Sequence, residues 1–297
     1  MIPRRSFIKL LAGLFLVSLT NKDVTANAEI ELFQGEDIFF RILHKAQKGH
    51  WTRLPIGELM GKIAIELEGT PYKANTLELS PDTEFCSVNL KGLDCVTFFE
   101  TTLGFARLLK LGGDSPDELT REVSFTRYRG GKPEDYPSRL HYTTDWFFDN
   151  EKKHVVKNLS NLPGSITFQK AIDFMSKHAE SSIQLRAHPE FIAEIQHTEE
   201  QISKRKMKYV PLNKLSAAEP LLKTGDIVGI VTDVPGLDIS HTGLVIRTKD
   251  GVVHFMDASS RTGVMKVTLE PGRLSQTLAR NKHAIGAMFA RPLEPSY

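Results

Sequence analysis

The sequence predicts an α+β fold in which helices come first and an antiparallel sheet comes last. Apolar residues recur at helical spacing in the N-terminal half. The C-terminal part is instead divided into short runs rich in Val and Ile, which turn residues separate. Helices followed by a block of strands are typical of an α+β arrangement. With 40% hydrophobic residues, the chain has enough apolar material for a core that needs no disulfide or metal.

Three helices are predicted in the first part of the chain. Apolar spacing indicates helices at 38–47 and 55–68, and a polar, loop-like stretch follows at 72–92. The third helix begins abruptly, because Asp94 is a suitable N-cap residue and Cys95 then falls in the first turn. The glycine pair at 112–113 ends this helix.

The remainder of the chain is predicted as an insertion followed by a sheet. Residues 113–215 are polar and mixed, with 172–177 and 189–196 as helices, so we expect a largely helical insertion. Five strands follow, which we expect to form an antiparallel meander. They are 226–232, 242–247, 252–256, 264–268 and 284–290.

The first 28 residues have the pattern of an export signal. Arg4 and Arg5 precede an apolar run at 10–19, which is too short to span a bilayer, and Ala26-Asn27-Ala28 has the form of a cleavage site. The paired arginines resemble the twin-arginine type of signal. We expect residues 1–28 to be removed, leaving a single periplasmic domain at 29–297 with no stable membrane insertion. The alternative is an uncleaved, membrane-anchored N-terminus.

Charge and cysteine content exclude several classes of protein. Without residues 1–28, the chain has 34 basic and 35 acidic residues, so no basic surface indicates a nucleic-acid partner. The two cysteines, Cys86 and Cys95, are too few for a disulfide framework or a zinc knuckle.

Cys95 is the first candidate for chemistry. A side chain at a helix start meets unpaired backbone N–H groups and the positive end of the helix dipole, and both favour a thiolate. The carboxylate of Asp94 opposes this, because it disfavours a second negative charge nearby. Taken alone, a cysteine of this kind is more often a small buried apolar residue than a nucleophile.

His241 supplies the proton acceptor that such a nucleophile needs. It stands at the entrance to the predicted strand 242–247, from which it can reach a helix N-terminus packed across the sheet. There it would act as general base to the thiol and general acid to the leaving amine. The alternative is a histidine that is hydrogen-bonded within a loop.

The next strand supplies two candidates for a third group, His254 and Asp257. Such a group holds the imidazole in the required tautomer. Because side chains alternate along a strand, the two candidates point to opposite faces, and only one can face His241. Periodicity does not choose between them.

Four short motifs occur in a characteristic order. They are Gly69-Thr70-Pro71-Tyr72, Leu93-Asp94-Cys95, Ser240-His241-Thr242-Gly243 and Asp257-Ala258-Ser259. Together they resemble the NlpC/P60 superfamily of cysteine peptidases. The longer stretches 69–78, 88–100, 127–145 and 225–260 resemble its DUF1460 branch, the N-acetylmuramoyl-L-alanine amidase-like proteins. The resemblance implies a papain-like core, with the nucleophile helix packed on the antiparallel sheet, and activity on peptidoglycan.

The resemblance also assigns roles to individual residues. It implies that Cys95 is the nucleophile and His241 the base, with no cofactor. Asp257 stands where the superfamily usually has a histidine, and we expect it to be the third member, with His254 as the alternative. Tyr72 matches the tyrosine of a Pro-Tyr motif, whose phenol can assist an oxyanion. The alternative for Tyr72 is a packed aromatic residue.

We therefore predict a hydrolase that cleaves the amide between N-acetylmuramic acid and L-Ala, acting on peptidoglycan or muropeptide fragments. One alternative is an endopeptidase on the same core that cuts between D-Glu and the diamino acid. A second is a zinc amidase with His241, His254 and Asp257 as ligands. A third is a non-catalytic peptidoglycan-binding protein.

Residues that bind the substrate are expected in the insertion. Stem peptides carry free carboxylates, which arginine binds in bidentate fashion, and the region 127–146 is rich in Arg, Tyr and His. The candidates are Arg139, His141, Tyr142, Asp145 and Arg129, together with Arg261 near the end of the nearby strand.

Overall fold

The computed structural model describes residues 31–296, in which helices and strands follow the predicted α+β order. The predicted signal peptide at 1–28 lies outside these residues. The helices of the described part are α1 Glu36–Lys48, α2 Ile56–Glu66, α3 Cys95–Lys110, α4 Pro116–Arg127, α5 Thr143–Lys152, α6 Phe174–Lys177, α7 Ile183–Ala187, α8 Phe191–Ser203, α9 Leu215–Ala218 and α10 Leu274–Leu278.

The strands of the same residues make one large sheet and one small one. They are β1 Phe33–Gln34, β2 Val88–Asn89, β3 Val156–Asn158, β4 Ile166–Phe168, β5 Met207–Pro211, β6 Ile227–Thr232, β7 Ile239–Arg247, β8 Val253–Ser259, β9 Lys266–Leu269 and β10 Ala284–Pro292. The large sheet is antiparallel and has the order β4-β5-β10-β6-β7-β8-β9, with β3 also paired to β10. β1 and β2 form a separate parallel pair.

The predicted meander is correct for β6 to β9 and wrong for the last strand. β10 returns across the sheet and pairs with β6, where Ala287 lies opposite Ile230. The physical reason is its burial: β10 is apolar on both faces, so a central position covers it better than the edge beyond β9. Strands that follow one another in sequence need not be neighbours in a sheet.

The two faces of the large sheet are covered by different helices. On one face, Leu244 and Met256 pack in the same core as Phe99 and Leu103 of α3. On the other face, Val245 packs in a second core with the short helices α9 and α10. Burying each large apolar side chain contributes about 1.5–3 kcal/mol, so α3 is held firmly against β7 and β8.

The start of α3 follows the predicted capping. Asp94 has extended backbone geometry, and its carboxylate accepts a hydrogen bond from the Thr97 backbone N–H at 2.7 Å. The Thr97 hydroxyl in turn accepts from the Asp94 backbone N–H at 2.9 Å, which completes a capping box. The helix ends just before Gly112, whose φ of +79° suits glycine. The cap fixes where the helix begins, and therefore where Cys95 lies.

The segment predicted as a helical insertion contains helices and also strands. The helices predicted at 172–177 and 189–196 occur as α6 and α8, and α8 is one turn longer than expected. The strands β3, β4 and β5 of this segment were not predicted, because they are short and mix apolar with polar residues. They extend the large sheet beyond β10.

No helix within residues 31–296 is both long and apolar enough to cross a bilayer.

Candidate active site

Cys95 is the first residue of α3, and its thiol is free and half-buried. The Asp94 carboxylate accepts a hydrogen bond from the Thr97 N–H. The N–H groups of Cys95 and Val96 have no acceptor inside the helix, because they belong to its first turn. The position therefore combines an accessible sulfur with backbone donors that point out of the helix start.

The strand β7 brings His241 to this helix start. The hydroxyl of Thr242 donates to the carbonyl oxygen of Cys95 at 2.8 Å, which ties β7 directly to the first residue of α3. The imidazole Nε2 of His241 lies 2.6 Å from Asp257 Oδ2, so Nδ1 is the ring nitrogen left for the thiol. Phe255 packs edge-on against the ring, with 6.1 Å between centroids.

The electrostatics of the pair favour a protonated imidazole. Burial lowers the pKa of His241, but the negative charge of Cys95 and the hydrogen bonds with Asp257 and Cys95 raise it more, to about 10. At neutral pH the imidazole therefore keeps its proton next to the Cys95 sulfur. Such a pair provides both a nucleophile and a proton for a leaving group.

Of the two candidates for the third position, the structure brings Asp257 to the imidazole. Val245 of β7 lies opposite Phe255 of β8, so two-residue steps put His241 and Asp257 on the same face. His254 points to the other face, where its Nδ1 lies 3.1 Å from the carbonyl oxygen of Glu270. The register between β7 and β8 therefore shows that Asp257, and not His254, faces His241, which the alternation of side chains alone does not determine.

Tyr72 lies close to the nucleophile. Its backbone is bridged to Leu93, two residues before Cys95, and its N–H bonds to the carbonyl oxygen of Met265. Burial, followed by the negative charges of Cys95 and Asp94, raises the pKa of the Tyr72 phenol above 10. The phenol therefore remains a hydrogen-bond donor throughout the neutral range.

A cavity of about 360 Å³ opens beside the imidazole. His241 and Asp257 line it together with Arg261 and Arg280. Arg261, a predicted substrate-binding residue, donates from Nη2 to Glu270 and from Nε to the Ser259 hydroxyl at 3.2 Å. Arg280 could not be selected from the sequence, because it is a single arginine in a polar stretch without a motif.

A second cavity of about 260 Å³ is lined by Asp94 and Val96, the residues before and after Cys95 in the chain. It contains two of the predicted substrate-binding residues, Arg139 and His141. Arg139 is buried and lies 3.4 Å from the carboxylate of Glu84. These side chains are therefore close to the start of α3.

His141 is fixed in this second cavity as a neutral ring. Its Nε2 lies 2.7 Å from the carbonyl oxygen of Tyr136, so Nε2 carries the proton and donates. Burial and then the positive charge of Arg139 hold the pKa of His141 well below 6.5. At neutral pH it contributes hydrogen bonds and packing rather than charge.

The other predicted substrate-binding residues do not line either cavity. Tyr142 is buried, and its hydroxyl donates to Glu199 at 2.7 Å. Asp145 is 1% exposed, with its two oxygens bonded to Arg129 and Arg205. The hydrogen bonds of Tyr142, Asp145 and Arg129 connect parts of the insertion. None of the three side chains lines either of the two cavities.

The helix α3 is anchored by a buried polar network, two members of which, Glu100 and Arg127, line the second cavity. Arg127 of α4 donates from Nε to Glu100 of α3 at 2.7 Å, and both side chains are 1% exposed. The indole of Trp146 donates to the second oxygen of Glu100 at 3.0 Å. Breaking a buried pair of this kind costs about 3–5 kcal/mol, so the network gives α3 a fixed position relative to the insertion.

The ligands required by the zinc alternative are not brought together. In residues 31–296, no group of three His, Cys, Asp or Glu side chains has an arrangement that could hold a metal ion. His254 in particular faces away from His241 and Asp257.

Comparison with known proteins identifies the family. A family described as N-acetylmuramoyl-L-alanine amidase-like, or AmiA-like, matches residues 62–284. The crystal structure of an N-acetylmuramoyl-L-alanine amidase from Bacteroides uniformis is 31% identical with a TM-score of 0.74, and the match covers 80% of this chain and 99% of that one.

Two further solved structures share the fold. One, from Bacteroides fragilis and described as a candidate xylanase, is 33% identical with a TM-score of 0.70, over 78% of this chain and 99% of that one. A DUF1460 protein from Legionella pneumophila is 20% identical with a TM-score of 0.66, over 87% of this chain and 95% of that one, and supports the fold alone. No curated protein matches the sequence. The family match spans most of the chain and includes Tyr72, Cys95, His241 and Asp257, and the chain therefore belongs to the AmiA-like, DUF1460 family of N-acetylmuramoyl-L-alanine amidase-like proteins.

Proposed function

We propose that this protein is a cysteine-dependent peptidoglycan hydrolase that cleaves the amide between N-acetylmuramic acid and the L-Ala of the stem peptide. The observation that carries the proposal is the arrangement of Cys95, His241 and Asp257 at the start of α3. The imidazole of His241 is bonded to Asp257 at 2.6 Å and electrostatically coupled to Cys95. Membership of an amidase-like family supports the choice of bond.

The proposed reaction is an acyl transfer through a thioester. The Cys95 sulfur attacks the lactyl carbonyl carbon of N-acetylmuramic acid, forming a C–S bond, and the C–N bond to L-Ala breaks. His241 donates its proton to the departing amine, so the stem peptide leaves neutral at its N-terminus. Water, deprotonated by His241, then attacks the thioester and releases the muramic acid as a carboxylic acid. No cofactor is needed.

Two donors are available for the oxyanion of the tetrahedral intermediate. One is the Cys95 backbone N–H, which has no acceptor within α3 because it belongs to the first turn. The other is the Tyr72 phenol, which remains protonated because its pKa is raised. Loss of one such donor typically costs about 10²- to 10³-fold in kcat.

The fold is consistent with the papain-like core of the NlpC/P60 superfamily. A nucleophile helix packs on an antiparallel sheet, and the histidine and its partner come from adjacent strands of that sheet. In this proposal residues 29–297 form the catalytic domain, with the insertion at 113–215 between α3 and the rest of the sheet. Residues 1–28 direct export to the periplasm, where peptidoglycan is present.

Glycoside hydrolysis, which the name of one structural neighbour suggests, is less well supported. Most glycosidases need a carboxylic acid and a carboxylate on either side of the scissile bond. In the cavity beside the imidazole, Asp257 is bonded to His241 and Glu270 to Arg261. Both carboxylates are therefore engaged in positioning other side chains.

The experiment that tests the proposal identifies the carbonyl that is attacked. The protein is incubated with a defined disaccharide tetrapeptide in water enriched in oxygen-18, and the products are analysed by mass spectrometry. We expect oxygen-18 in the carboxyl group of the released muramic acid and an unlabelled stem peptide that begins with L-Ala. Label in a D-Glu carboxyl group would instead indicate the endopeptidase alternative. Substrate bound without any product would indicate a binding protein.

A further inference from the structure

The cavity beside the imidazole has a distinctive charge distribution. His241 and Asp257 compensate each other across their hydrogen bond, and Arg261 and Glu270 form a second pair. Arg280 lines the same cavity, is exposed, and makes no side-chain hydrogen bond or ion pair within residues 31–296. The cavity therefore has one uncompensated positive charge.

The surroundings of Arg280 preserve this positive charge. No Asp or Glu occurs anywhere in residues 271–292, so its own segment offers no acidic neighbour. Arg261 has a fixed orientation, since Glu270 and the Ser259 hydroxyl both accept from it, yet its side chain is 55% exposed. Two guanidinium groups thus face one cavity, and guanidinium geometry suits carboxylates.

Proton transfer determines which half of the substrate occupies this cavity. The proton on His241 must reach the departing amine, so that amine lies within about 2.6–3.2 Å of the ring nitrogen. The leaving group therefore lies next to His241, which is one of the residues that line this cavity. Asp257 Oδ1 is buried and has no hydrogen-bond partner within the described residues.

We propose that this cavity is the subsite for the leaving stem peptide, and that Arg280, together with the oriented Arg261, binds one of its free carboxylates. The inference rests on the proposed function, because it takes the L-Ala amine as the leaving group. It assigns to Arg280 a role in substrate recognition, and it makes the enzyme selective for stems whose carboxyl groups are free.

The test uses the released stem peptide alone as the probe. Its binding to the inactive Cys95→Ala protein is measured by titration calorimetry, and the measurement is repeated in that background with Arg280→Gln. We expect about tenfold to hundredfold weaker binding without the guanidinium, because it makes charge-assisted hydrogen bonds. Arg280→Lys should bind with intermediate affinity. Arg280 is a better probe than Arg261, whose removal would leave the buried Glu270 unpaired.

The control is Lys282→Gln in the same background. Lys282 is exposed and lies two residues from Arg280 but does not line the cavity, so it tests the loss of one positive charge alone. We expect its effect to be less than twofold. A second probe is the same peptide with its carboxyl groups amidated, which should bind weakly whether or not Arg280 is present.

Three results would overturn the inference: unchanged affinity in Arg280→Gln, equal losses in Lys282→Gln, or tight binding of the amidated peptide. These results are distinct from failure of the proposed function. If the wild-type protein cleaves the muropeptide but Arg280→Gln binds the stem peptide normally, only the subsite is wrong. If Arg280-dependent binding occurs but the wild-type protein cleaves another bond, only the assigned reaction is wrong.

Discussion

At the residue scale, the partner of His241 determines how the imidazole works. Asp257 accepts at Nε2 and fixes the ring so that Nδ1 faces the sulfur. A carboxylate also stabilises the imidazolium charge more than a neutral acceptor would. The carboxylate is 4% exposed, so water screens this interaction only weakly. Asp257 therefore orients the histidine and, after the larger effect of Cys95, helps to raise the pKa of the imidazole.

This role predicts a pH-dependent contribution of Asp257 to stability. The pKa of His241 is raised to about 10, against about 6.5 for an ordinary histidine, so its stabilising protonation is complete below pH 6.5 and is lost as pH rises through 10. Asp257→Asn should therefore lower the free energy of unfolding by about 1.5–3 kcal/mol at pH 6, and by progressively less towards pH 10. Urea denaturation of the variant and the wild type between pH 6 and 10 measures this difference.

The matched control is Asp250→Asn, which removes an exposed carboxylate from a turn. The pKa of Asp250 is lowered by its hydrogen bonds, so it stays ionised over this whole range and its effect should not vary. A constant difference for Asp257→Asn between pH 6 and 10 would mean that Asp257 does not stabilise an imidazolium.

The individual residues differ in how well the sequence predicts them. Cys95 and His241 could be selected because each stands in a motif with a local structural signal. Cys95 lies at a predicted helix start, and His241 lies at a predicted strand. Tyr142 and Asp145 were expected in the cleft because their segment is rich in Arg and Tyr, but composition does not distinguish a binding surface from an internal network. No local sequence pattern marks Arg280. The fold places it in the cavity that His241 also lines.

At the scale of elements, the site depends on the junction between α3 and β7. The two elements are far apart in sequence, yet the Thr242 hydroxyl bonds directly to the Cys95 carbonyl at 2.8 Å. Thr242 is 1% exposed, so the bond is shielded from water. It fixes the helix start next to the residue that precedes Thr242, which is His241.

Thr242→Val tests whether this bond positions the catalytic pair. The change keeps the shape of the side chain and removes the hydroxyl, so we expect a loss of about 1–3 kcal/mol in stability. We also expect kcat to fall about tenfold or more with little change in KM, because a displaced sulfur affects the chemical step more than binding. Steady-state kinetics on a defined muropeptide, with a melting curve for each variant, measures both effects.

Thr102→Val is the control for stability. The Thr102 hydroxyl is also buried, but it bonds to Phe98 within α3 at 2.6 Å and does not cross to the sheet. Its loss should lower the melting temperature while leaving kcat unchanged. Equal kcat values for Thr242→Val and the wild type would show that the bond between α3 and β7 has no part in catalysis.

The elements also show which parts of the fold the sequence predicts. The predicted start of α3 is correct because the N-cap is a local signal, confined to Asp94 and Thr97. The predicted position of β10 in the sheet is wrong, because strand order depends on contacts between residues that are far apart in sequence. The local pattern of apolar residues does not contain this information. The short strands β3 to β5 have too few residues to show alternation.

At the scale of the whole molecule, two cavities of different character are lined by residues of the site or by their neighbours in the chain. One is lined by the imidazole and two arginines, and the other by Arg139 and His141 beside the start of α3. In the proposed reaction the stem peptide occupies the first cavity. The network of Glu100, Arg127 and Trp146 holds the insertion against α3.

The central claim is that Cys95 is the nucleophile, and the chain contains its own control in Cys86. Both cysteines are free and half-buried, but burial raises the pKa of the Cys86 thiol, and no histidine lies among its hydrogen-bond partners. Cys95→Ala should remove the thiol that forms the thioester in the proposed reaction. Cys86→Ala should leave the catalytic groups in place.

The decisive measurement is therefore the turnover of a defined muropeptide by the two alanine variants, each shown by its melting curve to be folded. We predict that Cys95→Ala loses about 10⁴-fold or more in kcat, whereas Cys86→Ala stays within about threefold of the wild type. Turnover by Cys95→Ala close to that of the wild type would contradict the account, since the protein would then break the amide without its proposed nucleophile.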